Sequence, residues 1–173
     1  GHVMALHRFG IAAGAPMFIP GLGAFIRLRQ LHMDPIEDSR VGLAGPLYGF
    51  GAAIFAYAVY SATGWKAWQA IAHFGAFINL FNLIPVWQLD GARGWRSLAY
   101  QQRLQITGLM ALLWVGTSEP LLLILALVAG FRCFKRSDAA EQPDTVGFWQ
   151  FGGVLVGLSL LAMLAKTSLT GSE

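Results

Sequence analysis

The chain has 173 residues, of which 55% are hydrophobic and only 12% are charged, with a formal net charge of +3. Soluble globular domains carry about 25% charged residues, so this composition argues against an ordinary soluble domain and favours a protein whose surface faces lipid. The lysines and arginines are scattered along the chain and form no basic patch, which argues against a nucleic-acid-binding protein. The single Cys133 cannot form an intramolecular disulfide.

The first part of the chain is predicted to be the end of a helix followed by an irregular segment. The helix covers Gly1–Ala13, and the Gly- and Pro-rich stretch Gly14–Arg40 follows it. Within that stretch Phe25–Leu31 alternates apolar and polar residues, which predicts a short, membrane-associated β-like strand. Extended backbone at membrane depth must be hydrogen-bonded by protein, so this strand is expected to pack on the helices near the interface.

Three stretches contain no Asp, Glu, Lys or Arg, and each has about 20 or more residues, the length needed to cross the hydrocarbon core of a bilayer. They are Val41–Trp65, Ala67–Leu89 and Thr145–Ala165. The first two are predicted to form spanning helices at Leu43–Ala62 and Ala67–Leu83. The alternative is a set of buried helices in a large soluble protein, which is disfavoured because several such stretches share one short chain.

Shorter helices are predicted in the second half. Pro85 ends the second spanning helix, and Asp90–Tyr100 is predicted to form a short amphipathic helix. The apolar region Leu104–Phe131 is interrupted at Thr117–Pro120, where Ser118 suits an N-cap and the proline suits a first helical turn. This pattern predicts either a helical hairpin with two short arms or a single kinked span.

The positions of the charged residues predict how these helices are oriented in the membrane, because cytoplasmic loops are enriched in Lys and Arg. Arginines stand before the first predicted span and after the second, whereas the turn between the spans holds only Lys66. They are Arg27, Arg29, Arg40, Arg93, Arg96 and Arg103. The side of the membrane that holds these arginines is predicted to be cytoplasmic. The helical hairpin is favoured over the single kinked span because it returns the polar linker Arg132–Asp144 to that same side.

A final helix at Phe148–Ala165 completes the predicted fold. The fold class is an all-α polytopic membrane protein, a bundle of about four to six transmembrane helices with one β-like segment after the first helix. The expected location is the inner or plasma membrane of a prokaryote.

Two ionisable residues, His2 and Asp90, stand out in apolar surroundings. Ionisable groups within a membrane are costly, so each is a functional candidate by default. A His and an Asp on separate helices could ligate one zinc ion, and a catalytic zinc takes three protein ligands and leaves a fourth position for water. The alternatives are an ordinary polar helix residue for His2 and an N-cap before Gly91 for Asp90.

Four motifs follow one another in the first 100 residues. They are the stretches Gly1–Gly10, Phe18–Phe25, Gly42–Leu47 and Asn82–Gly91. In this order they resemble the tail of the His-Glu-x-Gly-His signature, the Gly-rich segment, the Ala-Gly-Pro motif and the Asn-x-x-Pro-x-x-x-x-Asp-Gly motif of the site-2 proteases. These proteins form a family of intramembrane zinc metalloproteases.

The resemblance implies that His2 is the second zinc ligand and Asp90 the third. The first His and the catalytic Glu would stand before Gly1, so the chain as given is expected to be inactive. In the His-Glu-x-x-His arrangement zinc lowers the pKa of a water molecule, and the Glu accepts its proton for attack on a peptide carbonyl. Supporting or substrate-binding roles are implied for residues near these ligands: Asn82, Asn79, Gly91, Pro85, Gly45 and Pro46.

Asn79 is outside the motif. It lies three residues before Asn82 on the same helix face and could instead hydrogen-bond a neighbouring helix. Among the remaining histidines, His7 is expected at the interface, His32 in solvent, and His73 in a hydrogen bond that packs two helices.

The chain is predicted to comprise a site-2-protease-like core at residues 1–103 and additional C-terminal transmembrane helices at residues 104–173. Its expected cofactor is zinc. Its expected partners are the lipid bilayer and a transmembrane protein or peptide substrate, which could add a strand to the edge of Phe25–Leu31. One alternative is a non-catalytic membrane scaffold or degenerate relative of the same fold. Another is a small transporter, which broken helices and intramembrane polar residues alone would suggest.

Overall fold

The computed structural model of the protein describes residues 1–8, 17–19, 23–25, 34–134 and 138–170. These residues form helices and one two-stranded sheet. In chain order the elements are α1 (His2–Arg8), β1 (Met17–Ile19), β2 (Gly23–Phe25), α2 (Pro35–Thr63), α3 (Lys66–Asn82), α4 (Asp90–Arg96), α5 (Tyr100–Thr117), α6 (Pro120–Cys133) and α7 (Thr145–Thr170). Helix dominates the described residues, which is consistent with the predicted all-α class.

Two of the described helices are long and apolar enough to cross a membrane. They are α2 and the Thr145–Lys166 part of α7. With 17 and 14 residues, α3 and α6 are shorter than the usual spanning length. Length and composition therefore suggest membrane association, while a bundle of four to six spans stays a prediction.

A β-hairpin stands between α1 and α2, where a β-like segment was expected. Its strands pair antiparallel, with Met17 opposite Phe25 and Ile19 opposite Gly23. Of the predicted strand Phe25–Leu31, only Phe25 belongs to this hairpin, and the rest lies outside the described residues.

Helix α2 begins eight residues before the predicted Leu43. Pro35 occupies the first helical turn, where its fixed φ suits the helix and its missing N–H costs nothing. Glu37 and Asp38 follow in that turn, where the positive end of the helix dipole favours them. The prediction missed these residues because it began the helix with the apolar run. At the other end Gly64 adopts a left-handed conformation (φ 67°) and closes the helix.

Helices α5 and α6 form the hairpin that the charge pattern favoured. Thr107, in the first half of α5, approaches Cys133, the last residue of α6, with 3.7 Å between Oγ1 and Sγ. Ser118 was predicted to be the N-cap of the second arm, and this is wrong. It has a left-handed conformation (φ 53°) and ends α5, while Glu119 is the N-cap of α6 and Pro120 its first residue. Two residues suffice for the turn because Ser118 accepts positive φ.

Helix α7 begins at Thr145, three residues before the predicted Phe148, because Asp144 caps it. The Asp144 carboxylate accepts a hydrogen bond of 2.9 Å from the Gly147 backbone N–H, as N-cap carboxylates do. It also receives two hydrogen bonds from the Arg40 guanidinium, of 2.9 and 2.6 Å, which join the starts of α2 and α7.

The short helix α4 is anchored to the core at its C-terminal end. Trp95 is fully buried, its ring centroid 6.2 Å from that of Phe151 and 5.7 Å from the guanidinium carbon of Arg103. Arg103 is buried too and donates a hydrogen bond of 3.0 Å to the Leu98 carbonyl. The predicted helix Asp90–Tyr100 is thus too long, since α4 ends at Arg96 and Tyr100 already begins α5.

The two ends of the described bundle differ in charge. Near the starts of α2 and α7 lie several arginines: Arg40, Arg93, Arg96, Arg103 and Arg132. The opposite end holds Lys66 and Lys166, and Lys166 Nζ lies 3.3 Å from Glu119 Oε2. The described arginines that the sequence assigned to one side of the membrane therefore lie at one end, called the basic end below. Arg27 and Arg29 lie outside the described residues.

Candidate metal centre

The structure brings His2 and Asp90 together although they stand at opposite ends of the predicted core. His2 is the first residue of α1 and Asp90 the first residue of α4. The His2 Nε2 atom lies 3.5 Å from Asp90 Oδ2, with side chains 34% and 14% exposed. Asp90 makes no side-chain cap, and Leu89 occupies the N-cap position. The Asp90 side chain is therefore available to face His2.

The distance between these two atoms fits a shared zinc ion. Zinc lies about 2.1 Å from His nitrogen and carboxylate oxygen, so two ligands at a tetrahedral angle stand about 3.4 Å apart. The observed 3.5 Å is close to that value and exceeds the usual range of N–H···O hydrogen bonds. Within the described part of the chain, no group of three or more His, Cys, Asp or Glu side chains could hold a metal. His2 and Asp90 are therefore spaced as two ligands of one zinc ion would be, whereas a catalytic zinc takes three protein ligands.

The orientation of the His2 ring also suits a ligand. Its Nδ1 atom lies 2.8 Å from the Val41 carbonyl oxygen, which can only accept a hydrogen bond, so Nδ1 carries the proton. The other ring nitrogen, Nε2, faces Asp90 and is the atom whose lone pair a metal would bind once that nitrogen carries no proton. Metal-binding histidines are held in the same way, with the second ring nitrogen donating to a carbonyl or carboxylate.

One face of α2 forms the wall against which these side chains pack. Gly42, Gly45 and Gly49 are spaced by three and four residues and therefore share a helix face. A Cβ atom at Gly45 would overlap the His2 ring and stand 2.8 Å from Asp90 Oδ2. We call these three positions the glycine face of α2. The missing Cβ at Gly45 lets the α2 backbone lie close to the side chains of both His2 and Asp90.

The other two glycines of this face receive neighbouring elements. A Cβ atom at Gly42 would stand 2.7 Å from Arg93 Cβ and 3.1 Å from the Asp90 carbonyl oxygen, so α4 packs directly on this glycine. At Gly49 a Cβ atom would overlap the side-chain amide of Asn79. The Asn79 Nδ2 atom donates a hydrogen bond of 2.8 Å to the Gly75 carbonyl, one turn back in its own helix. Asn79 therefore packs against α2 one helical turn beyond Gly45, and its amide hydrogen-bonds within its own helix α3.

The remaining sequence-predicted residues shape the backbone around the ligands. Asn82 is the half-buried last residue of α3, and the buried Pro85 follows in the turn that leads to Asp90. Gly91 is required because a Cβ atom there would overlap the Leu83 carbonyl. Pro46 is buried inside α2 beside Gly45.

The other described histidines, His7 and His73, do not join His2 and Asp90. His7 is exposed, as expected for an interface residue, and His32 lies outside the described residues. His73 donates from Nδ1 to the Ala162 carbonyl oxygen at 3.2 Å, which agrees with the predicted helix-packing hydrogen bond.

A cavity of about 480 Å³ lies beside this centre, between α1, α2 and α7. It is lined mainly by apolar side chains such as Met4, Leu43 and Val154, with Glu37 and Arg40 towards the start of α2. Neither His2 nor Asp90 lines it. The side chains of His2 and Asp90 are therefore not part of the cavity wall.

Three parts of this centre were not assigned to it from the sequence. They are the Val41 carbonyl, the Gly42 and Gly49 positions, and the Asp38–Arg93 ion pair described below. The glycine spacing in Gly42–Gly49 was a visible signal, because small residues at such intervals mark close helix contacts in membrane proteins. The other two had no signal, since a backbone carbonyl and a distant ion pair leave no local pattern.

No model of a known protein family matches the chain, and no curated protein matches it significantly.

Proposed function

We propose that the chain is the core of an intramembrane zinc metalloendopeptidase that cleaves membrane-anchored proteins. The observation that carries the proposal is the 3.5 Å approach of His2 Nε2 to Asp90 Oδ2 across two helices. A second support is the ring orientation fixed by the Val41 carbonyl. The four motifs that resemble the site-2 protease family supply the reaction class.

In this proposal His2 Nε2 and Asp90 Oδ2 hold the zinc ion, and the Val41 carbonyl keeps the imidazole in the required tautomer. When bound, the metal supplies Lewis-acid activation of water for attack on a peptide carbonyl. The glycine face of α2 leaves room for both ligands against the helix backbone. By the resemblance, the remaining His ligand and the Glu that accepts the proton from water precede Gly1.

The finer membrane arrangement belongs to the same proposal. The protein would span a prokaryotic inner or plasma membrane four to six times, with the basic end in the cytoplasm, as positive residues favour that side. Val41 and Gly45 lie six and ten residues into α2, so the ligands would sit roughly 10–15 Å from the start of that helix. The centre would thus be nearer the cytoplasmic side. A substrate segment could pair with an edge of the β1–β2 hairpin.

The test is metal analysis and proteolysis. The protein expressed from its complete gene is purified in detergent, its zinc content is measured, and it is incubated with a transmembrane substrate peptide. We expect stoichiometric zinc that is lost in Asp90→Ala and His2→Ala, together with loss of cleavage. Asp34→Ala is the matched control, because Asp34 is exposed just before α2. Unchanged zinc in Asp90→Ala would refute the proposed site.

A non-catalytic scaffold of the same fold is the second candidate. The observation that favours it is that the described residues supply two metal ligands instead of three. The three codons before Gly1 discriminate the two functions. The sequence His-Glu-x there supports the protease, and any other sequence supports the scaffold.

A further inference from the structure

The position of Asp90 depends on how α4 is held, and α4 is too short to hold itself. It has seven residues and no side-chain cap, whereas isolated helices need roughly 12–15 residues to be even marginally stable. Its C-terminal half is fixed by the buried Trp95. Its N-terminal half, which carries Asp90, needs a separate attachment.

That attachment is an ion pair with the first turn of α2. The Arg93 Nε atom donates a hydrogen bond of 2.8 Å to Asp38 Oδ1, and Nη2 lies 2.6 Å from the same oxygen. The Nη2 contact is an ion-pair contact and not an aligned hydrogen bond. Arg96 Nη1 reaches the other carboxylate oxygen at 3.3 Å. Asp38 thus binds two successive arginines of α4.

The pair is well shielded. The side chains of Asp38 and Arg93 are 13% and 20% exposed, while Arg96 is 58% exposed and contributes a weaker, solvent-screened contact. Directly beneath, Arg93 Cβ rests on Gly42, one turn along α2 from Asp38. Asp38 therefore stands on the same helix face as the glycines that receive the two ligands.

Arg93 is also a potential competitor for Asp90. The two residues are three apart in α4, the spacing at which opposite charges on a helix pair. A guanidinium bound to the Asp90 carboxylate would occupy the lone pairs that a metal needs. In the structure the Arg93 guanidinium instead binds the Asp38 carboxylate.

We propose that Asp38 is a positioning residue of the metal centre, which docks α4 on α2 and withholds the Arg93 guanidinium from the Asp90 carboxylate. The zinc part of this inference rests on the proposed function. The docking part does not, because it concerns the metal-free protein.

The experiment uses the protein from its complete gene, in detergent, in two arms. In the first, zinc affinity is measured by competition with a chelator. We expect Asp38→Ala to weaken it about 10- to 100-fold, the usual effect of removing a group that orients a metal ligand. Asp38→Ala combined with Arg93→Ala should recover the part of the loss that the competing cation causes, while the part caused by the lost ion pair between α4 and α2 remains. A purely structural role of Asp38 would give no recovery.

The second arm measures hydrogen exchange of metal-free protein by mass spectrometry. Asp38→Ala should speed exchange in the segment 86–96, and Asp38→Glu should restore protection. Glu119→Ala is the matched control, since it removes an ion pair with Lys166 at the opposite end of the bundle.

Each result decides a separate point. Unchanged exchange in Asp38→Ala would overturn the docking role whether or not zinc binds. A double variant no tighter than Asp38→Ala would overturn the withholding of Arg93. Wild-type protein without zinc affinity would overturn the proposed function. The hydrogen-exchange experiment on metal-free protein would still test the docking role of Asp38.

Discussion

Replacing Gly42 by alanine is expected to push α4 away from α2 and to displace Asp90. The new Cβ would stand 2.7 Å from Arg93 Cβ, a rigid part of that side chain, and 3.1 Å from the Asp90 carbonyl oxygen. Carbon atoms pack at about 3.5–4.0 Å, so α4 must move by roughly 0.8 Å or more. Overpacking of this kind costs about 1–3 kcal/mol, and the higher helix propensity of alanine offsets about 1 kcal/mol of it.

Gly51→Ala is the matched control, because a Cβ atom at Gly51 of the same helix meets nothing within 4 Å. It should gain about 1 kcal/mol from helix propensity alone, so the two variants should differ by the overpacking cost. Unfolding in detergent measures the stability difference, and chelator competition measures zinc affinity. Zinc affinity should fall only in Gly42→Ala. If both variants are equally stable and bind zinc equally well, α4 does not pack on Gly42 as described.

Three further outcomes are expected. Burial favours the neutral form of the Asp144 carboxyl, but hydrogen bonds led by Arg40 outweigh it and hold the pKa below its ordinary value of 3.8. This carboxylate therefore stabilises the fold above about pH 4, and the contribution is lost as pH falls towards the folded-state pKa; acid unfolding of Asp144→Asn should lack that component. Gly45→Ala should displace the His2 ring and weaken zinc binding about 10- to 100-fold in the chelator assay, whereas unchanged affinity would show that the ring does not pack there. Trp95→Ala should cost about 3–5 kcal/mol in the same unfolding assay, since the side chain is fully buried, and a loss below 1 kcal/mol would contradict that burial.

Much of the local structure followed from the sequence. Pro85 was predicted to end the second spanning helix, and α3 ends three residues before it because the backbone chemistry of proline acts within a few residues. The boundaries that were missed depended on polar residues next to the apolar runs. Pro35 and Asp144 extend their helices outward by capping, which a count of apolar residues does not detect.

The sequence by itself determined that the chain is helical and apolar. It also determined that placing the ionisable side chains of His2 and Asp90 in such surroundings costs free energy. The tertiary structure alone decided that these two side chains meet. Their 3.5 Å separation depends on how α1 and α4 rotate and cross against α2, which local patterns do not specify. The glycine face of α2 permits that approach, because only residues without a Cβ let two further elements reach the helix backbone at one place.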